Sequence, residues 1–382
     1  MSRIPYARQS VDDGDIDAVV RVLRSDWLTQ GPEIERFERL VAEYCGVEHA
    51  VAVSSGTAAL HVAALAIGLA SGKRLWTSPN SFVASANCAL YCGAEVSFVD
   101  IDPDDGNMSV SALSDKLRAA ERDGVLPDAV MPVQFGGQSC DMAAIGALAR
   151  RYGFAVIEDA SHAIGARHAG RPVGSCLHSD MAVFSFHPVK IITSGEGGIV
   201  VTKSRALAER LRRFRTHGVT RENVLGISDP DPWLYWQTDL GYNYRLTDLQ
   251  AALGANQMKR IDAFVARRLE IAGRYDSAFA GSPVKPLARR PYAVSSFHLY
   301  VVQVSPGSRR RIFNGLAASG IHAQVHYIPI HTQPYYRNLG FKPGDYPRAE
   351  AYYSGALSLP MFVGLTDDDQ RRVVDEILRL AA

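Results

Sequence analysis

The chain has 382 residues, 47% hydrophobic and 21% charged, enough apolar material for a globular protein with one large and one smaller core. Lys and Arg total 41 against 40 Asp and Glu, a net charge of +1, so no global field favours nucleic acid or an anionic membrane. The five cysteines (Cys45, Cys88, Cys92, Cys140, Cys176) are odd in number and lack a CxxC pair, which fits reduced thiols in a cytoplasmic protein.

In chain order, the start carries no signal-like apolar region and no apolar run reaches membrane-spanning length. After an extended Ile4-Pro5-Tyr6, the stretch Ser10-Val11-Asp12-Asp13 has a capping-box pattern ahead of a helix with Ile16, Val19, Val20 and Leu23 on one face. Trp27 to Gly31 breaks it. Pro32 then sits where a helix's first turn tolerates proline, and the second helix carries Ile34, Phe37, Leu40, Val41 and Tyr44.

From residue 49 onward strand-like and helix-like segments alternate: 49–53, 56–70, 74–78, 81–91, 94–100, 109–122, 128–134, 141–152 and 154–158. The strands are continuous apolar runs, so both faces are expected to be buried in an α/β fold with a mostly parallel sheet wrapped by helices. Leu246 to about Ala278 reads as one long helix leading to a smaller α+β region, with a strand at His298–Val304 and a closing helix from Asp367 to Leu380. The division expected is residues 1–250, an N-terminal segment and large cofactor-binding domain, and 251–382, the linking helix and small domain.

The chemistry lies at strand ends. Ala50–Val53 runs into Ser54-Ser55-Gly56-Thr57, a strand, polar turn and helix start that offers backbone N–H groups to a phosphate. Ala155–Asp159 is a buried strand ending in an acid. Phe184-Ser185-Phe186-His187-Pro188-Val189-Lys190 leaves another, and Gly195, Gly197 and Gly198 follow, where backbone can pass close to a flat ligand. A lysine desolvated between two buried strands keeps part of its amine neutral, as a Schiff-base lysine requires. Singly, each has a plainer reading: a solvated lysine, a helix cap, a core aromatic. Together, lysine, acid and phosphate cradle are what pyridoxal phosphate (PLP) needs from a protein. On that reading Asp159 pairs with the pyridine nitrogen and His162 flanks the phenolic oxygen. Ser55, Gly56, Thr57 and Ser185 hold the phosphate, Phe82 stacks on the ring, and Gln134 approaches its edge.

These stretches resemble the DegT/DnrJ/EryC1/StrS sugar aminotransferase family. The similarity runs nearly end to end, from Ile4-Pro5-Tyr6 to Leu357-Ser358-Leu359-Pro360, through Phe98-Val99-Asp100-Ile101-Asp102-Pro103 and Gly241-Tyr242-Asn243-Tyr244-Arg245-Leu246. The resemblance implies the PLP-dependent transferase fold type I, aspartate aminotransferase-like, with pyridoxamine phosphate in the half-reaction. It places the Schiff-base and acid–base role on Lys190, the pyridinium partner on Asp159 and a further catalytic role on His162. It also implies a homodimer with sites at the subunit interface, where Asn243 reaches the neighbouring subunit's cofactor phosphate. A family branch with histidine in place of the lysine performs dehydration; Lys190 puts this chain on the transaminase side.

Within the family, Asp159-Ala160-Ser161-His162-Ala163, Trp27-Leu28-Thr29-Gln30-Gly31 and Gln324-Val325-His326-Tyr327 are similar to a subgroup of pseudaminic acid biosynthesis. That subgroup transfers an amine from L-glutamate to UDP-2-acetamido-2,6-dideoxy-β-L-arabino-hexos-4-ulose. Lys190-Ile191 departs from its usual Lys-Pro. The substrate residues implied are Tyr6, Trp27, Leu28, Thr29, His326 and Tyr327 for the sugar nucleotide and Arg245 for the glutamate carboxylate. Other readings are another 4-keto or 3-keto nucleotide sugar (UDP, dTDP or GDP), a non-catalytic scaffold of the same fold, and a metal hydrolase using His322, His326 and His331. The last lacks a carboxylate-bearing zinc motif, so no metal is expected.

Overall fold

Seven apolar runs assemble into the central sheet of the computed structural model, which describes residues 3–382. The strands are β1 (His49–Val53), β2 (Arg74–Thr77), β3 (Glu95–Phe98), β4 (Ala129–Met131), β5 (Ala155–Asp159), β6 (Met181–Ser185) and β7 (Gly198–Thr202). Their spatial order is β1-β7-β6-β5-β4-β2-β3. Pairing is parallel from β3 through β2, β4 and β5 to β6, while β7 runs antiparallel to both β6 and β1. β1 and β6 therefore point the same way as β5, and the residues following all three emerge along one edge.

Successive residues of a strand face opposite sides of the sheet, and here each side has its own core. Ala50, Ala52, Ala182 and Phe184 pack with Phe37 and Val41 of the helix Pro32–Cys45 and with Ala251 and Ala255 of the helix Asp248–Met258. Val51, Val53, Val183 and Val200 pack instead with the helices Gly56–Ala66 and Arg205–Arg215. A separate antiparallel sheet, Lys285–Pro286, Tyr300–Gln303 and Ala356–Leu359, is covered by the helices Pro306–Ala318 and Asp367–Ala381. No helix among the described residues is long and apolar enough to cross a membrane. All five cysteines are free thiols, with Cys88 buried and Cys92 half-buried at the end of its helix.

Three expectations are corrected. The first helix, Asp13–Leu23, is capped by Asp12 with Asp15 reciprocating, not by Ser10. Its buried side is Asp15, Ala18 and Val22, while Ile16 and Leu23 are 53% and 58% exposed. The cause is the fully buried Asp15 carboxylate, which accepts from Asn256 at 2.8 Å, Gln257 at 2.5 Å and the Arg260 guanidinium. A buried charge must be met in this way, so it sets the helix's rotation. The long helix is two, Asp248–Met258 and Ile261–Phe279, broken where Arg260 leaves helical geometry and reaches back to Asp12 and Asp15. The late strand begins at Tyr300, leaving His298 free of the ladder.

Candidate active site

The ends of β1, β5 and β6 meet at a cavity of about 450 Å³. Behind β1, Ser55 caps the helix Gly56–Ala66, its hydroxyl accepting the Ala58 N–H at 3.1 Å. The amides of Gly56 and Thr57 lie at the free, electropositive end of that helix, where intrahelical acceptors are missing. Glycine is required here by the protein itself. A Cβ on Gly56 would come within 2.9 Å of the Ser185 Cβ, and one on Gly198 within 2.3 Å of the Ser55 carbonyl oxygen. A Cβ on Gly197 would likewise meet the Ser194 hydroxyl at 2.3 Å. Gly197 and Gly198 therefore let the chain pack on itself, rather than on a flat ligand as the sequence suggested; Gly195 takes a left-handed φ of +80°.

At the end of β5, Asp159 is 4% exposed. Its Oδ2 accepts from the Ser85 hydroxyl at 2.6 Å and its Oδ1 from the Ser161 N–H at 3.2 Å. An ionised carboxylate only accepts, so Ser85 donates to it and Ser81, 2.6 Å from Ser85, donates to Ser85 in turn. Lys190 follows the turn after β6, its backbone N–H bonded to the His187 carbonyl at 2.9 Å. Burial pulls its ammonium down to about 8, against the opposing attraction of Asp159. A substantial neutral fraction then exists near neutral pH, which an amine nucleophile or base needs.

The opposite wall is His162, His298, His326 and Tyr327. His162 Nδ1 lies 3.3 Å from the Gly136 N–H and Nε2 lies 3.2 Å from the Tyr327 hydroxyl. The His298 ring packs on it at 4.4 Å between centroids. Burial holds both imidazoles well below their usual range, with Lys190 adding to the effect. His326 is lowered to about 4, by burial and then by Lys190, and its Nδ1 sits 2.8 Å from the Ser358 hydroxyl. Tyr6 stands beside it with ring centroids 5.8 Å apart. Phe82 is 58% exposed at the rim.

Of the residues expected from sequence, Tyr6, Ser55, Gly56, Thr57, Phe82, Asp159, His162, Ser185, Lys190, His326 and Tyr327 share this cavity. Six do not within one chain. Gln134 lies behind the strand end, donating to Glu158 at 2.7 Å and accepting the Cys140 N–H at 2.6 Å, so it is a core tie. Trp27 and Leu28 are about half exposed, Thr29 pairs through its backbone with Thr247, and Asn243 pairs with Thr216. Arg245 lines a different cavity, of about 500 Å³, beside Arg215 and Glu38. The histidines of the hydrolase reading have separate partners: His322 meets Arg3, His326 meets Ser358 and His331 meets Glu350. Ser85 and His298 were missed. The four-residue spacing of Ser81 and Ser85 was a visible signal for the first; nothing local marked the second.

The DegT/DnrJ/EryC1/StrS aminotransferase family matches residues 9–378. The spore coat polysaccharide biosynthesis protein SpsC of Bacillus subtilis is 38% identical over 98% of this chain and 96% of its own. The UDP-4-amino-4,6-dideoxy-N-acetyl-beta-L-altrosamine transaminase of Campylobacter jejuni is 36% identical over 99% and 97%. Among solved structures, Helicobacter pylori PseC, an aminotransferase involved in the biosynthesis of pseudoaminic acid, superposes with a TM-score of 0.90 at 31% identity, covering 100% of this chain and 99% of that one.

Proposed function

The chain belongs to the DegT/DnrJ/EryC1/StrS aminotransferase family, and within it we propose that it aminates the 4-keto carbon of a UDP-linked 6-deoxy sugar with L-glutamate as donor. The substrate proposed is UDP-2-acetamido-2,6-dideoxy-β-L-arabino-hexos-4-ulose and the product UDP-4-amino-4,6-dideoxy-N-acetyl-β-L-altrosamine. The observation that carries amine transfer is the half-buried, desolvated Lys190 amine facing one cavity with Asp159 and the open helix end at Ser55–Thr57. The Campylobacter relative's name supports the sugar.

The family's members bind PLP, and the residues here fit that group. The cavity offers a phosphate site at the Gly56 and Thr57 amides with the Ser185 hydroxyl alongside, a buried carboxylate for a pyridinium, and an amine with a lowered pKa. When bound, PLP supplies an aldehyde that captures amines and a protonated ring that accepts electrons from the adjacent carbon. Lys190 would hold the cofactor covalently through its amine, and the same amine, with its lowered pKa, would serve as the base and then the acid at the donor carbon. Asp159, fixed by Ser85 and Ser161, would hold a protonated ring nitrogen. His326 and Tyr6 orient the sugar. His162 and His298, held neutral, put no extra positive charge beside the amine.

Asn243 and Arg245 lie outside the single-chain cavity, and we propose that they act on the site of a second copy in a homodimer. A second substrate reading has its own support: SpsC, more identical than the altrosamine transaminase, is named for spore coat polysaccharide, so a different keto sugar nucleotide is the competing substrate. Incubating the holoenzyme with L-glutamate and each keto sugar, and measuring 2-oxoglutarate with the amino sugar by mass spectrometry, separates the two. Turnover only with a different sugar would remove the altrosamine assignment; turnover with none would remove amine transfer to sugars.

A further inference from the structure

His162 has both ring nitrogens engaged within the protein. The Gly136 backbone N–H faces Nδ1 at 3.3 Å, and a backbone amide only donates, so Nδ1 carries no proton. The ring is neutral, since burial, then Lys190 and His326, depress its pKa, and the adjoining His298 is depressed in the same way. A neutral imidazole with a bare Nδ1 holds its hydrogen on Nε2. That nitrogen is 3.2 Å from the Tyr327 oxygen, so Nε2–H donates and the phenol oxygen accepts. The tyrosine's own hydrogen cannot lie on the same line. No other group among the described residues hydrogen-bonds this hydroxyl, and the side chain lines the cavity with Lys190 and Asp159. Burial, and then Asp159, raise its pKa and keep it protonated.

We propose that the Gly136 amide and His162 fix the direction of the Tyr327 hydroxyl, making it a one-way hydrogen-bond donor to an oxygen acceptor on the bound ligand. His162 is then a positioning residue, and the group that addresses the ligand is Tyr327, in place of the direct contact from His162 expected from sequence. The inference rests on the cavity being the amine-transfer site. The acceptor is an oxygen lone pair, on the phenolic position of PLP or on the sugar.

The test begins with protein labelled with ¹⁵N-histidine, with and without PLP. Two-bond nitrogen–proton spectra near neutral pH are expected to show His162, assigned by its absence in His162→Gln, as the Nε2–H tautomer. An Nδ1–H tautomer or an imidazolium overturns the proposal. Equilibrium binding of PLP and of UDP-N-acetylglucosamine to Tyr327→Phe, His162→Gln and His162→Leu then reads the consequence. Tyr327→Phe is expected to weaken one of the two by about tenfold, the loss from a donor to a polar or charged acceptor. Weaker PLP places the acceptor on the cofactor; weaker UDP-sugar places it on the sugar; neither weakened overturns the proposal. Glutamine has one acceptor oxygen and an N–H donor, so His162→Gln should lose much less than His162→Leu, and His162→Leu should add no further loss in the Tyr327→Phe background. Equal losses in the two His162 variants reduce the residue to packing and overturn the proposal. The wild-type spectrum needs no turnover, so the expected tautomer in a protein that transfers no amine would remove the functional reading alone.

Discussion

Ser85 donates to Oδ2 of Asp159 at 2.6 Å, from the first turn of a helix that follows β2 rather than from any strand end of the site. Its own oxygen is in turn met by Ser81 at 2.6 Å, so the buried carboxylate is supported by a chain of hydroxyls pointing one way. Removing a donor to a buried charge costs about 1.5–3 kcal/mol. Ser85→Ala is therefore expected to weaken retention of PLP by about tenfold or more, read by equilibrium dialysis, with a lowered melting temperature. Wild-type affinity in that variant would show that Asp159 does not depend on Ser85.

The lysine makes a pH prediction. With its folded pKa at about 8, Lys190 is protonated below that value and neutral above it. The rate at which apo-protein captures PLP, followed by absorbance, should rise about tenfold per pH unit up to roughly pH 8 and then level. Lys190→Met should show no such capture. A profile that keeps rising towards 10.5, the ordinary lysine value, would mean that the amine is not desolvated.

Acid should destabilise the protein through its buried imidazoles. His326 titrates at about 4 when folded and at 6.5 when unfolded. Between those values the unfolded chain binds a proton that the folded one does not, so stability falls as pH drops from 6.5 towards 4 and is unaffected above. Each such group contributes a slope of at most about 1.4 kcal/mol per pH unit. His162 and His298 act in the same direction. Denaturant titrations of His326→Gln across that window should show a shallower acid slope than wild type; an unchanged slope would mean that His326 is charged or exposed when folded.

Much of the fold was legible because the strands are continuous apolar runs bounded by turn residues, and β1 through β5 match the segments read from sequence to within a few residues at their ends. Lys190, Asp159 and Ser55–Thr57 were legible for the same reason, since a strand's end fixes where the next residues emerge. What was hidden depended on partners distant in sequence. The rotation of the first helix is set by Asn256, Gln257 and Arg260 meeting Asp15, more than 240 residues away. Gln134 looked like a site residue by its position after an apolar run, but Glu158 and Cys140 turn it into the core. His298 enters the cavity only through packing between segments that no periodicity links, while Ser85 carried a local signal in its spacing from Ser81.

Asn243 and Arg245 supply a test of assembly. If each serves the neighbouring subunit, Lys190→Ala and Asn243→Ala chains, inactive or weak alone, should regain activity when unfolded and refolded together, because a mixed dimer contains one complete site. No recovery, with mixed dimers verified by mass, would place Asn243 outside the partner's site.

The most direct measurement is the transfer of the label from ¹⁵N-glutamate to the proposed UDP-linked 4-keto sugar by PLP-loaded protein, read by mass spectrometry and NMR of the product. The expected result is a UDP-sugar carrying ¹⁵N on carbon 4, with 2-oxoglutarate formed in equal amount and no product from Lys190→Ala. Unlabelled sugar recovered from active-site-intact, PLP-loaded protein, or label transfer undiminished in Lys190→Ala, would contradict an amine transfer centred on Lys190.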